Sequence, residues 1–383
     1  MALSTTSVSV TTSKNIPLQN YTLPLILVTS LFFLWGTAYG LLDVLNKHFQ
    51  ETLNITTARS TLIQAAYFGA YFLIALPAGF FMNKFGYKRG IILGLLLYAF
   101  GAFLFYPAAQ QSNFNFFLIA LFILASGLGC LETAANPYVT VLGKPESSEF
   151  RLNLSQCFNG VGSFIGPIIG ANLFFVNKNS GNLDSVKMVY VIIGAIVLII
   201  AFLFFRTHLP EIKESKLVSE KSQDVKPLFK HKNFTGAILA QFFYVAAQVG
   251  VAALFINYCT APGKGINNTE AAYLLGVGMI LFTVGRFVGT GLMVIAVFFF
   301  ESIMFPTIFA LGVKDLGHHT KKASSFIIMS IVGGALVPFI MGKITDNYSI
   351  NFAYAIPLVC FIVVAWYGWK GYRIIEERRI CEW

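Results

Sequence analysis

Eleven stretches of about 18 or more apolar residues with few charges run through this 383-residue chain, each long enough to cross the roughly 30 Å hydrocarbon core of a bilayer as a helix. They fall near 23–46, 61–82, 91–109, 115–142, 153–176, 188–206, 235–258, 271–312 (long enough to count twice), 324–342 and 351–370. Charged residues make up 11% of the chain and hydrophobic ones 56%, against about 25% charged in a soluble domain. A globule of this size cannot hide so much apolar surface, which excludes a soluble enzyme and predicts an all-α polytopic membrane protein embedded in a lipid bilayer. Cys130, Cys157, Cys259, Cys360 and Cys381 form no CxxC pair, so neither a disulfide framework nor a metal site is expected. Residues 1–20 lack a basic-then-apolar signal layout, and the first span is expected to serve as an uncleaved signal.

The formal net charge of +10 then describes topology and does not call for nucleic acid. With a cytoplasmic N-terminus, the inner segments up to residue 234 hold thirteen basic residues, among them Lys84, Lys88, Arg89, Lys144, Arg151 and six lysines between 213 and 232. The outer loops hold five, Lys47, Arg59, Lys178, Lys187 and Lys264, so the positive-inside rule orients the first half. The organisation expected is a cytoplasmic tail over 1–21, a six-helix bundle over 22–206, a solvated linker over 207–234, a second bundle over 235–370 and a tail over 371–383.

The two bundles echo each other, as transporter halves do. Glu132, Pro137 and Gly143 recur as Glu301, Pro306 and Gly312 at an offset of 169, and Val161, Gly162, Pro167 and Ile169 recur as Val332, Gly333, Pro338 and Ile340 at 171. Phe32, Phe33, Gly40 and Gly79 recur as Phe242, Phe243, Gly250 and Gly289, but at 210. The offset falls by about 40 residues between 289 and 301, so the second half is expected to lack one helix and its preceding loop near Met293 and Val294. Two crossings by 271–312 would leave Lys314, Lys321, Lys322, Lys370, Arg373, Arg378 and Arg379 on the outer face, against the rule. The inconsistency points to an exon-skipped, deleted or misassembled form of a longer protein.

Charges and amides inside spans cost free energy and therefore mark cavities or partners. Asp43, a turn before the end of the first span, is either an acid snorkelling to the outer interface or a group that binds and releases a proton. Glu132 lies mid-span in LETAANPYVT with Asn136, a candidate substrate-binding residue, on the same helical face and Pro137 freeing a backbone carbonyl; the alternative for Glu132 is a purely structural buried acid. Gln156 and Asn159, three apart among glycines, suit sugar hydroxyls as both donors and acceptors, or serve as polar glue between helices. Tyr244 and Gln248 form an amphipathic wall suited to a pyranose ring, or pack the core. Glu301 holds the repeat position of Glu132 and is therefore a candidate cavity-facing, substrate-binding residue, Arg286 is the other charge in that run, and His318–His319 read as a solvated pair.

The loop Gly79-Phe-Phe-Met-Asn83-Lys84-Phe-Gly86-Tyr-Lys88-Arg89 resembles the G-xxx-D-R-x-G-x-[RK]-[RK] gating motif of the major facilitator superfamily, with Asn83 in place of the acid and Lys84 of the arginine. The strings FFLWGTAYGLLD, LETAANPYVT, RLNLSQCFNGVGSFIGP, FFYVAAQVG, GRFVGTGL, SIMFPTIFALG and SSFIIMSIVGGALVPFIMGKITD are similar to the fucose permease branch of that superfamily, the fucose/glucose/galactose proton symporters. The resemblance implies two six-helix bundles rocking about a midplane cavity, a ninth span absent here, and proton-coupled symport of L-fucose or a hexose such as galactose or glucose. It assigns protonation to Glu132, coupling and substrate to Asp43, and the neighbouring polar pair to Gln156 and Asn159. No P-loop is present, and the proton gradient is expected to drive a cofactor-free monomer. The alternative is a transport-inactive truncated or splice form, or a membrane sugar sensor.

Overall fold

The structure, a computed structural model, describes residues 22–142, 148–175, 183–207, 229, 232–262, 264–288, 304–305, 307–309, 311–312 and 320–370. Its helices are α1 (Thr22–Thr52), α2 (Thr57–Ser60), α3 (Leu62–Phe85), α4 (Tyr87–Gln110), α5 (Phe114–Val141), α6 (Ser148–Gly170, continued as a π-turn over Ala171–Phe175) and α7 (Asp184–Arg206) in the first half. The second half holds α8 (Lys232–Ala253), α9 (Phe255–Cys259), α10 (Asn268–Val288), α11 (Thr320–Met329, joined by a 3₁₀ turn to the next), α12 (Gly333–Asn347), α13 (Ile350–Ala353) and α14 (Ala355–Lys370). Nine helical stretches among the described residues are long and apolar enough to cross a membrane, so this is a multi-pass integral membrane protein. The 271–312 run is described as α10 plus short pieces between 304 and 312; Glu301, the side chain of Arg286, His318 and His319 lie outside the described residues.

Lipid replaces water around the helices, so their outer faces are apolar. On α7, Met188, Ile192, Ile196, Ile199 and Phe202 repeat every three or four residues and are exposed. Packing between helices uses small residues instead. Alpha carbons of α1 and α6 approach so closely that a methyl group on Gly36 would strike the Asn159 carbonyl, and one on Gly162 the Phe33 carbonyl. Helix α4 packs on α5 and α7, and α3 on α5; in the second half α8 packs on α12 and α14. Two seams join the halves, α3 against α11 and α12, and α6 against α10.

The first seam settles the orientation of the chain's end. Gly79, near the basic end of α3, faces the Ser325 side chain of α11, while at the opposite end the Asp346 carboxylate accepts hydrogen bonds from the backbone N–H of Thr57 and Ala58 at 3.0 and 2.7 Å. The α11–α12 segment thus runs antiparallel to α2–α3 and starts on the face carrying Lys84. Tyr367 of α14 lies against Gly236, at the start of α8, so the last helix returns to that same face. Lys322 and the end of α14 therefore share one face with Lys84, Lys88 and Arg89, and the expected split of the basic residues between two faces does not arise for them. The described pieces show why: Phe305 stands beside Tyr244, midway along α8, and Gly312 beside Ala237 near its start.

Candidate functional site

A cavity of about 600 Å³, its mouth included, lies between the halves. Helix α1 presents Trp35 and Tyr39, four residues apart, and α3 presents Tyr67, Phe68 and Tyr71. Glu132 comes from α5, and Gln156, Asn159 and Ser163 from α6. The far wall is Tyr244, Val245, Gln248 and Val249 of α8, with Phe305 and Ile331. Glu132, Gln156, Asn159, Tyr244 and Gln248, singled out by type and spacing, are thus brought together from three separate stretches of chain, α5, α6 and α8.

The remaining residues take other places. Asn136 stands behind the wall, where its side-chain oxygen accepts a hydrogen bond from Gln156 Nε2 at 3.3 Å. Asn159 Nδ2 donates to the Phe32 carbonyl at 3.3 Å, so both amides brace the α1–α5–α6 corner while facing the cavity. Asp43 is outside the cavity lining, buried on α1 one turn beyond Tyr39 and facing Gln64 of α3. Asp43 and Glu132 are each 1% exposed, and their carboxylate oxygens have no hydrogen-bond partner among the described residues. A buried carboxylate with no cation beside it is costly to hold, and a bound proton removes that cost. Glu301 is outside the described residues and is assigned no place.

At the basic end of α3, Gly86 has a φ of 85°, a conformation only glycine adopts without strain, and it breaks the α3–α4 junction into a tight turn. Lys88 Nζ then donates to the Phe205 and Thr207 carbonyls at 3.0 and 2.8 Å, placing a cation at the C-terminal end of α7. Asn83, Lys84 and Arg89 are exposed, and Lys88 is half-buried. The basic loop thus ties α4 to α7, while Gly79 makes the contact across the seam.

At the outer face, beyond the cavity, hydrogen bonds bridge the two halves. Asn46 Nδ2 donates to the Ala253 carbonyl at 2.8 Å, Asn257 Nδ2 donates to Gln50 Oε1 at 2.7 Å, and Asn268 Nδ2 donates to the Glu51 carboxylate at 2.6 Å.

Sequence reasoning missed Trp35, Tyr39, Tyr67, Tyr71, Ser163 and Phe305. A signal existed for α1: Trp35, Tyr39, Asp43, Asn46 and Gln50 step by three or four along one face, a polar and aromatic stripe in an otherwise apolar helix. The Gln64, Tyr67, Tyr71 stripe on α3 has the same form.

Comparison with known proteins agrees with this architecture. The chain is 39% identical to the L-fucose-proton symporter of Escherichia coli, covering 90% of this chain and 92% of that one, and 36% identical to a glucose/galactose transporter of Brucella abortus, covering 92% and 95%. The first of these alignments extends over 404 positions, more than the 383 residues present, so that relative carries residues with no counterpart here. The crystal structure of the transporter FucP in its outward conformation superposes with a TM-score of 0.70 at 38% identity, covering 90% of this chain and 98% of that one. The model of the Major Facilitator Superfamily matches residues 26–375, and the protein, a transporter, belongs to that superfamily.

Proposed function

We propose that the protein is a proton-coupled symporter of a monosaccharide, L-fucose or a hexose such as galactose or glucose, working by alternating access of the central cavity. The observation that carries this reading is the cavity itself, in which one buried carboxyl, Glu132, stands among hydroxyl-matching amides and aromatic faces contributed by both halves. Amides donate and accept, as sugar hydroxyls do, and Trp35, Tyr39 and Tyr244 offer flat apolar faces to a pyranose ring. The related transporters named above, for fucose with protons and for glucose or galactose, support the same substrate class. They lend no support to a transport-inactive form or a sensor.

In this mechanism Glu132 and Asp43 carry the proton, and Gln156, Asn159, Tyr244 and Gln248 hold the sugar, with Asn136 keeping Gln156 in place. A proton on Glu132 lets the cavity close around sugar without trapping a bare charge, and its release accompanies opening to the cytoplasm. The outer bridges at Asn46, Gln50 and Glu51 must part before sugar enters from outside. The driving force is the proton gradient, no cofactor takes part, and the working unit is a monomer in the bilayer.

The test is uptake of labelled L-fucose, galactose and glucose into proteoliposomes, with and without an inward proton gradient. Gradient-dependent accumulation of one of them is the expected result. Absence of uptake by inserted, monodisperse protein overturns the reading.

A further inference from the structure

The two carboxyls sit on different helices, Asp43 on α1 and Glu132 on α5, and one face of α3 carries polar side chains toward both, Gln64 at Asp43 and Tyr67 and Tyr71 in the cavity wall with Glu132. Gln64, Tyr67 and Tyr71 lie three and four residues apart on that face, so their side chains form a single file. All three are 1% exposed or less, and Gln64 Nε2 and Oε1, Tyr67 Oη and Tyr71 Oη have no hydrogen-bond partner in strict geometry among the described residues. Buried polar atoms left this way are rare and call for a reason. The file starts at Asp43, which Gln64 faces, and ends at Glu132. Tyr67 interacts electrostatically with both carboxyls and faces Tyr71, and the two rings stack with centroids 5.4 Å apart.

We infer that Tyr67 and Tyr71 form a hydroxyl bridge that passes a proton between Asp43 and Glu132, with Gln64 orienting the Asp43 carboxyl. This rests on the transport reading above and adds to it the route by which the two acids act as one unit. A phenol hydroxyl rotates about its C–O bond and can donate and accept in turn. The proton balance closes: as the Asp43 O–H gives up its proton to Tyr67 Oη, Tyr67 passes its own to Tyr71 Oη, and Tyr71 passes its own to the Glu132 carboxylate. Each tyrosine loses one O–H bond and gains another, so neither is left ionised. The other titratable groups around the bridge are Tyr98 of α4 and Tyr190 of α7, with Tyr354 beyond Asp43. Tyr98 Oη already donates to the Leu34 carbonyl at 3.4 Å, which leaves it out of the file. Among the described residues no lysine, arginine or histidine interacts with either bridging tyrosine.

The experiment compares wild type, Tyr67→Phe and Tyr71→Phe in proteoliposomes, each assayed for gradient-driven uptake and for sugar counterflow without a gradient. Phenylalanine keeps the ring and its packing and removes only the hydroxyl. In each variant gradient-driven uptake should fall about a hundredfold, the scale of a lost proton-transfer group, and at least about tenfold more than counterflow, which also reads any loss of sugar contact at the cavity wall. Gradient-driven uptake that matches wild type in both variants overturns the bridge. So does parallel loss of uptake and counterflow, which would assign the hydroxyls to sugar binding or folding. If wild type itself shows no gradient-driven uptake, the transport reading fails and takes the bridge with it, an outcome distinct from a failure confined to the variants.

Discussion

The helix pairs α1–α6 and α8–α12 occupy repeat-related places, yet only the first carries a buried carboxyl, Asp43. Each pair is closed by the same notch: Gly162 of α6 lies against the Phe33 carbonyl of α1, and Gly333 of α12 against the Phe242 carbonyl of α8. At the offset of 210, Trp35 and Tyr39 correspond to Val245 and Val249, and all four line the cavity. Asp43 corresponds to Ala253 at the same offset, while at 171 Gln156 corresponds to Ile327 and Asn159 to Ser330. The scaffold is thus nearly symmetric and its polar equipment is not. A rocking transporter needs both halves to pack alike, but a proton needs only one place to sit, and the first half supplies it.

Substitutions that remove this asymmetry should have the largest effects. Glu132→Gln, which keeps shape and hydrogen bonding but no longer titrates, should lower gradient-driven sugar uptake by about a hundredfold or more while sparing counterflow. Uptake that still follows the proton gradient would show that Glu132 is not the coupling site. Next comes the shared notch. Gly162→Leu forces a side chain into the α1 backbone and should destabilise the protein by about 3 kcal/mol, seen as an earlier thermal transition in detergent. A Gly333→Leu variant unfolding just as early would confirm that the two notches are mechanically equivalent; a much milder effect would break the symmetry of packing as well.

The second half should matter for the sugar and not for the proton. Gln248→Ala is expected to weaken sugar binding about tenfold, one lost hydrogen bond of roughly 1.4 kcal/mol, with the ratio of proton-driven to gradient-free transport unchanged. A change in that ratio would extend coupling across the cavity. The smallest effect belongs to the outer bridge. Gln50→Ala removes a pair with Asn257 and should shift the balance toward outer opening by about 1 kcal/mol or less, read as faster labelling of a cysteine introduced at the cavity wall. An unchanged labelling rate would mean that Asn46 and Glu51 hold the outer ends without it.

Much of this was legible before any coordinates. Span positions follow from apolar length, because a bilayer forces each crossing to satisfy its own backbone. The notches follow from the glycines of the repeat, and Glu132, Gln156 and Asn159 stood out because polar groups are costly in lipid. The aromatic walls were harder to see: Tyr67 and Tyr71 sit in a chain with 16 tyrosines and 39 phenylalanines, and composition alone does not separate a lining ring from a packing one. Asn136 was also ambiguous, since sharing a helical face with Glu132 does not say which of the two reaches the cavity when Gln156 stands in front.

By itself, then, the sequence determined a helical membrane protein of two related bundles with buried acids in the first, because insertion into lipid depends on local composition and period. The tertiary structure decided which residues meet across the seams: the cavity wall on α8, the file from Asp43 to Glu132, and the cytoplasmic start of α11. Those depend on contacts between segments more than a hundred residues apart, such as Asn46 with Ala253 and Thr57 with Asp346, and no local pattern encodes the pairing of distant faces.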